Sequence, residues 1–304
     1  MSVLAVPARR RLSPVLPLTY LVSVVLVGIT VVPILLVIVD GFRSNAQLNN
    51  SPAGLPNPWV WSNYSSILTS ASFWEFLGNS ALIAAIATAL TLVLGSMAAF
   101  ALSRYTFRGR EIFYTIFVAG LLLPIQVGSL PLYLLLDRLG MLNNQVWVGV
   151  AEAAYTLPIT IVILRPFMRA IPGDLEDAAV VDGASRLRFF VRILLPLSRP
   201  ALITVGLLAF VTSWNQYLLP LLAFNVTSKY TLPLGVATFQ TEYSQNTASI
   251  MAFTALSILP ALAFFLVAQR HLVAGASGAV KGLFGGRPSS RVGYRQWPVV
   301  TETG

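Results

Sequence analysis

Long stretches without a charged residue recur along this chain of 304 residues and constrain its fold more than any other feature. An α-helix needs about 20 mainly apolar residues to cross a bilayer. Five uncharged stretches reach that length, and a sixth contains a single carboxylate, Glu152. The six stretches are Leu12–Val39, Phe76–Ser103, Ile112–Leu136, Val146–Leu164, Pro200–Ser228 and Tyr243–Gln269. The sequence therefore predicts an all-α integral membrane protein with six transmembrane helices.

The composition excludes several classes of protein. Only 10% of the residues are charged, whereas a soluble domain has about 25%. Cysteine is absent and His271 is the single histidine, so disulfides, thiolate metal sites and histidine-based catalytic clusters are excluded. No phosphate-binding P-loop motif occurs, so we expect this chain to bind no ATP and no other cofactor itself. Prolines inside the predicted spans indicate kinks. They are Pro33, Pro124, Pro131, Pro158, Pro220 and Pro260.

The basic residues indicate the orientation of the chain. The first apolar run is longer than the 7–15 residues typical of a signal peptide, so we interpret it as a retained helix. If the N-terminus is cytoplasmic, all basic residues except Arg43, Arg138 and Lys229 lie on the cytoplasmic side. This distribution accounts for the net charge of +9 without a nucleic-acid partner. It predicts a multi-pass protein of the bacterial plasma (inner) membrane with both termini in the cytoplasm.

A charged segment between the fourth and fifth spans interrupts the apolar pattern. It begins with Glu176 and Asp177, has a glycine at Gly183 and ends at Pro196. The pattern predicts a short helix, a turn at Gly183 and a second helix that lies along the membrane surface. Five apolar residues at helical spacing give the second helix one apolar face. They are Leu187, Phe190, Val191, Leu194 and Leu195.

The spacing within this segment resembles the EAA loop of ABC importer permeases. Asp177-Ala178-Ala179 is followed by three residues and Gly183, then by nine residues and Ile193-Leu194-Leu195-Pro196. Asp177 stands where the family usually has Glu, and Glu176 precedes it, so either carboxylate could take the family role. Other stretches resemble the sugar-importer branch, in particular six-helix permeases of the maltose-transporter type. They are Asn79-Ser80, Pro124 through Tyr133, Leu139–Asn143, Arg165-Pro166-Phe167, Trp214-Asn215 with Pro220-Leu221, and the tail Leu272–Gly282.

The resemblance implies a subunit that transports a sugar or oligosaccharide by alternating access. The implied partners are a homologous second permease, an extracytoplasmic solute-binding protein, the membrane lipid and a dimer of cytoplasmic ATPases, which bind ATP and Mg²⁺. The loop would couple ATP hydrolysis to transport, with Ile193 and Pro196 anchoring its second helix on the transmembrane core. The expected coupling residues are Glu176, Asp177, Ala178, Ala179, Asp182, Gly183, Ala184, Ile193 and Pro196.

Polar residues within the apolar spans are candidates for the substrate pathway. Gln126, Trp214, Asn215, Gln216 and Tyr217 combine amides with aromatic rings, which can hydrogen-bond and stack on a sugar. Hydrogen bonds between packed helices explain such residues equally well.

Three other readings compete with a sugar importer. A permease for a non-sugar solute would share the loop. An ion-driven secondary transporter would require ionisable groups in the membrane, and Glu152 is the one that qualifies, although its position favours the outer interface. The absence of paired carboxylates and of a histidine cluster argues against a membrane enzyme.

The predicted organisation has three parts. Residues 1–15 form a cytoplasmic N-terminal segment, and residues 16–282 form the permease domain with its loop at 172–199. Residues 283–304 are rich in Gly, Arg and Ser, so we expect a disordered cytoplasmic tail.

Overall fold

The computed structural model describes residues 15–240 and 245–284, with side chains described for 19–240 and 245–267. These residues are helical apart from turns and an isolated bridge between Gln240 and Gln245, which confirms the predicted all-α class. A π-helical turn at Phe190–Leu194 and 3₁₀ turns at Thr227–Lys229 and Val236–Phe239 join some of the helices. The helices are α1 (Val15–Asp40), α2 (Asn45–Asn50), α3 (Ser62–Thr69), α4 (Ala71–Arg104), α5 (Arg110–Gly120), α6 (Ile125–Arg138), α7 (Gln145–Ala170), α8 (Asp174–Val181), α9 (Arg186–Phe189), α10 (Leu195–Leu197), α11 (Arg199–Trp214), α12 (Leu218–Ala223), α13 (Leu232–Gly235) and α14 (Thr247–Phe284).

Four helices are long and apolar enough to cross a membrane as single elements. They lie at Thr19–Asp40 within α1, in α4, in α7 and at Thr247–Val267 within α14. Two bent pairs also qualify. The axis turns by 102° between α5 and α6, and by 79° between Arg186–Leu197 and α11. The described residues therefore hold four to six candidate spans, which is consistent with an integral membrane protein.

Two of the predicted spans are not continuous helices. The predicted helix Ile112–Leu136 breaks before Pro124, which lacks an N–H donor and disfavours helical geometry in the residue before it. The predicted helix Pro200–Ser228 ends at Trp214, because the ring of Pro220 conflicts with a helical carbonyl four residues earlier, at Gln216. By contrast, the span that contains Glu152 is the unbroken helix α7.

The centre of the bundle is the parallel pair α4 and α7. Thr91 and Thr156 share a hydrogen bond of 2.7 Å, and Gly95 packs on Thr160 one turn further along both helices. Contacts advance in the same direction on the two helices, so the helices are parallel. Small residues along the seam permit this close approach, and α11 packs against both helices.

The segment after α1 is held by a buried arginine. Arg43 is 1% exposed and donates hydrogen bonds to the carbonyls of Gln47 (2.7 Å) and Pro52 (3.1 Å). It also pairs with Asp40 at 2.9 Å. The guanidinium group thus joins the end of α1 to α2 and to the residues that follow α2, so this segment closes compactly.

The α4–α7 seam yields a stability prediction. A Cβ added to Gly95 would lie 2.5 Å from the Cγ2 atom of Thr160, a buried, stiff side chain. We expect Gly95→Ala to cost about 1–3 kcal/mol, because the helices must move apart. Gly78→Ala on the same helix meets nothing within 4 Å, so it serves as the matched control. Thermal unfolding in detergent measures both, and equal melting temperatures would contradict the predicted close approach.

Candidate functional site

The loop between α7 and α11 forms the predicted helix–turn–helix. Asp174, Glu176 and Asp177 occupy the first turn of α8, where carboxylates interact favourably with the helix dipole. The turn is confirmed at Gly183, whose φ of +74° lies in the left-handed region that glycine adopts without steric cost.

A Schellman motif closes helix α8. The N–H of Ala184 donates to the carbonyl of Ala179 at 2.8 Å, and the N–H of Gly183 donates to that of Val180 at 3.0 Å. Ala179 and Ala184 both pack into the adjoining apolar cluster, which supplies the hydrophobic contact that accompanies this motif. Ala179 and Ala184, two of the expected coupling residues, therefore help to close the turn within this chain.

The structure divides the expected coupling residues between two faces. Ala179 is buried, and Ala184 and Ile193 are half-buried against the apolar cluster. Pro196, expected as an anchor beside Ile193, is exposed instead. The remaining outward-facing members have solvent-accessible side chains or backbone. They are Asp177, Ala178, Asp182 and Gly183.

The two candidate carboxylates have different surroundings. The Oε2 atom of Glu176 lies 4.0 Å from Nε of Arg104, and the Glu176 side chain is 22% exposed. Asp177 faces solvent and forms no ion pair among the described residues. Glu176 is thus directed at its own chain, whereas Asp177 is available to a partner.

Part of the predicted apolar face of the second helix packs inside the chain. Phe190 and Leu194 are buried, whereas Leu187 and Val191 are 67% and 51% exposed. Phe189, the residue before the π-helical turn at Phe190–Leu194, is buried as well. The ring of Phe190 stacks on Phe100 of α4 at 4.7 Å, which seats the loop on the bundle.

The candidate pathway residues cluster at the end of α11. Trp214 is buried, its indole N–H donates to the carbonyl of Ser257 at 3.3 Å, and its ring stacks on Phe210. Asn215 and Tyr217 are exposed and Gln216 is half-buried. Trp214 therefore packs between helices, while the neighbouring amides and phenol remain accessible.

A small cavity adjoins this cluster. Its volume is about 200 Å³, and polar groups from Asn215, Thr254 and Ser257 contribute to its wall. Gln126 lies separately, exposed in the first turn of α6, and no hydrogen bond joins it to the α11 residues in the described chain. Four of the five predicted pathway residues are thus consecutive at the end of α11, and Gln126 is on α6.

The carboxyl group of Glu152 lies inside the bundle rather than at an exposed position. Its side chain is 3% exposed and accepts a hydrogen bond from the hydroxyl of Ser213, the residue before Trp214. Its second oxygen, Oε1, has no hydrogen-bond partner among the described residues. The signal for this residue was present in the sequence as an ionisable group within a span. What sequence reasoning missed is its partner on α11, because that contact is long-range.

A comparison with known families identifies the chain. Residues 91–277 match the model of the family described as "Binding-protein-dependent transport system inner membrane component". The chain belongs to this family. As a permease of this family it is a transport component and not a catalytic enzyme, and the matched region contains the loop, α7 and α11 described above.

Individual relatives are similar over most of their length. A putative ABC transporter permease protein of Caldicellulosiruptor sp. (strain Rt8B.4) is 37% identical over 83% of this chain and 92% of that protein. The trehalose/maltose transport system permease protein of Thermococcus litoralis is 32% identical over 86% of this chain and 95% of that protein. These relatives confirm the predicted resemblance to ABC importer permeases of the sugar branch.

A solved structure shares the fold. A chain of a bacterial ABC transporter involved in the import of the acidic polysaccharide alginate superposes with a TM-score of 0.71 and 23% identity. The match covers 86% of this permease and 99% of that chain. The helical architecture described above is therefore shared with a chain of known structure.

The turn at Gly183 provides a second prediction. A Cβ at Gly183 would meet nothing within 4 Å, so any cost of Gly183→Ala arises from the backbone and should be about 1–2 kcal/mol. Gly173→Ala in the same loop is the control, because Gly173 has an ordinary φ of −65° and equal space. Hydrogen exchange of residues 174–197 in the purified permease should accelerate only in Gly183→Ala. Equal exchange in both variants would contradict the role of the positive φ.

Proposed function

We propose that this permease, paired with a homologous second permease, forms the membrane pathway of an ATP-driven importer for a sugar or oligosaccharide. The observation that carries the proposal is the α8–α9 loop, whose inner face packs on α4 while its outer face presents uncovered carboxylates and apolar side chains. The family membership and the trehalose/maltose relative support the same reading.

The outer face of α8 suits a protein partner. Val180 and Val181 are 59% and 86% exposed, and exposed carboxylates flank them at Asp177 in α8 and at Asp182, which caps its C-terminus. Exposed apolar residues bordered by charges are typical of docking surfaces. In this proposal the surface docks into a groove of the cytoplasmic ATPase dimer, and the dimer binds ATP and Mg²⁺. Asp177 takes the position of the family glutamate.

The bend between the loop and α11 suggests how force reaches the pathway. The segment Arg186–Leu197 meets α11 at 79°, and α11 ends at Trp214 beside Asn215. Movement of the loop by the ATPases would tilt α11 and alter the other end, where Asn215, Gln216 and Tyr217 are accessible. ATP binding would open the pathway outward and hydrolysis would reset it, which is a rigid-body form of alternating access.

The proposal of a sugar substrate depends on the substrates named for relatives and on the polar side chains at the end of α11. Accessible amides at Asn215 and Gln216, and the phenol of Tyr217, can exchange hydrogen bonds with sugar hydroxyl groups. In this proposal Trp214 is a packing residue that supports the site, and Gln126 contributes from α6. An extracytoplasmic binding protein would deliver the sugar, in keeping with the description of the family.

The topology proposed for the membrane has six crossings. The bent pair α5 and α6 counts as one span, and α11 crosses without the Arg186–Leu197 segment, which belongs to the cytoplasmic loop. Residues 16–282 form the permease domain, and both termini lie in the cytoplasm of a bacterial cell. The charge distribution supports this orientation, because it places the loop and most basic residues on the cytoplasmic side. Residues 1–14 of the expected N-terminal segment and residues 285–304 of the expected tail lie outside the described residues, whereas Val15 belongs to α1 and Leu283 and Phe284 belong to α14.

Purification with partners tests the proposal directly. The tagged permease, extracted from its host in mild detergent, should carry with it an ATPase and a second permease. The complex in proteoliposomes, with its binding protein, should accumulate sugar only when ATP is supplied. Recovery of the chain alone, with uptake driven by an ion gradient, would instead favour a secondary transporter centred on Glu152.

The docking surface gives a third prediction. Val181→Glu should reduce recovery of the ATPase with the purified permease by about tenfold or more, because a charge would be desolvated at the interface. Val226→Glu is the control, since Val226 is also exposed but lies in the segment that follows α12, away from the loop. Full ATPase recovery with Val181→Glu would remove α8 from the proposed interface.

A further inference from the structure

Two buried arginines connect the ends of α4 and α7 reciprocally. Arg104, the last residue of α4, donates hydrogen bonds to the carbonyls of Met168 (2.9 Å) and Ile171 (2.8 Å) at the end of α7. Arg165 of α7 donates from Nε to the carbonyl of Leu102 at 3.1 Å, in the last turn of α4. Each helix therefore supplies the cation that caps the other.

The parallel packing of the two helices explains this arrangement. Two helices that run side by side bring their C-terminal carbonyls, and the negative ends of their dipoles, to the same place. A guanidinium group satisfies several carbonyls at once and offsets the partial negative charge. Both arginine side chains are almost fully buried, at 8% exposed for Arg104 and 6% for Arg165.

The two arginines differ in what else they contact. Arg165 pairs with Glu111 of α5 and lies over the ring of Tyr114 at 3.9 Å, so its contacts remain within the bundle. Arg104 turns toward the loop. Its guanidinium lies 6.0 Å from the ring centre of Phe189 on α9, and its Nε lies 4.0 Å from the carboxylate of Glu176 on α8.

The contact between Arg104 and Glu176 is close but incomplete. The Nε group of Arg104 is buried and makes no hydrogen bond in the described chain. A charge-assisted N–H···O bond has a length of about 2.7–2.9 Å, so a shift of roughly 1 Å in α8 would complete it. The next residue, Tyr105, is packed beneath the guanidinium of Arg186 at 4.9 Å, which adds a second contact between the end of α4 and the loop.

We propose that Arg104 is a positioning residue of the transport cycle, which transmits movement of α8, through Glu176, to the ends of α4 and α7. The inference rests on the proposed function, since it requires partner ATPases to move the loop. The side chain of Arg104 contacts the end of α7, helix α8 and helix α9. Its loss should leave the complex assembled while transport becomes inefficient relative to ATP hydrolysis.

The test is the ratio of sugar molecules imported to ATP molecules hydrolysed by the whole complex in proteoliposomes. Arg104→Gln should lower this ratio by about tenfold, the scale of a typical coupling between sites. Arg104→Lys should restore part of it, because it keeps the charge but not the forked geometry. A lowered ratio with normal subunit recovery distinguishes a positioning role from a purely structural one.

Two matched arginines serve as controls. Arg165→Gln removes a comparably buried helix cap that does not contact the loop, so it should reduce thermal stability while the import ratio stays within about twofold. Arg108→Gln alters an exposed arginine with no hydrogen bond or ion pair in the described chain, so neither quantity should change. An equal fall in the ratio for Arg104→Gln and Arg165→Gln would overturn the inference.

A double mutant examines the connection through Glu176. Glu176→Gln should lower the ratio by itself, but it should add little to Arg104→Gln, since residues that act through one contact are not additive. Additive losses would overturn the inference, as would an unchanged ratio in Arg104→Gln. If Arg104→Gln does not assemble, Arg104→Lys and Glu176→Gln decide the question by the same ratio. Failure of the unaltered complex to import sugar with ATP would count against the proposed function itself.

Discussion

The structure depends on the close parallel contact between α4 and α7. Gly95 against Thr160 and the hydrogen bond between Thr91 and Thr156 set the register of this seam. Because the helices are parallel, their C-terminal carbonyls meet at one end, where Arg104 and Arg165 satisfy them. That end is also the seat of the α8–α9 loop. The same packing thus stabilises the bundle and creates the surface on which the loop rests.

The loop is a compact structural unit because its own backbone closes it. The Schellman motif at Gly183 ends α8, and the side chains of Phe189, Phe190 and Leu194 around the π-helical turn are buried. The residues that face the bundle and the residues that face solvent then lie on opposite sides of the loop. An element of this kind can be moved by a partner on one face and act on the bundle from the other.

Much of the fold could be predicted from the sequence because a bilayer leaves few options. Uncharged runs of sufficient length indicate spans, and the spacing from Asp177 to Pro196 indicated both the loop and its family. The breaks near Pro124 and Gln216 were less predictable, since Pro33, Pro158 and Pro260 lie within continuous helices. A proline leaves a helical carbonyl without its usual N–H donor. Whether the helix breaks there depends on contacts with neighbouring helices, and these contacts join residues that are distant in sequence.

The sequence by itself determined that this is a helical membrane protein of a binding-protein-dependent transport family, with a glycine turn in its polar loop. These features arise from local composition and spacing. Only the tertiary structure decided that Glu176 faces Arg104 while Asp177 faces outward, that Trp214 is buried beside accessible amides, and that Glu152 accepts a hydrogen bond from Ser213. Each of these contacts joins separate helices. Their geometry follows from how those helices are placed relative to one another. The pattern of apolar residues within one segment does not specify that placement.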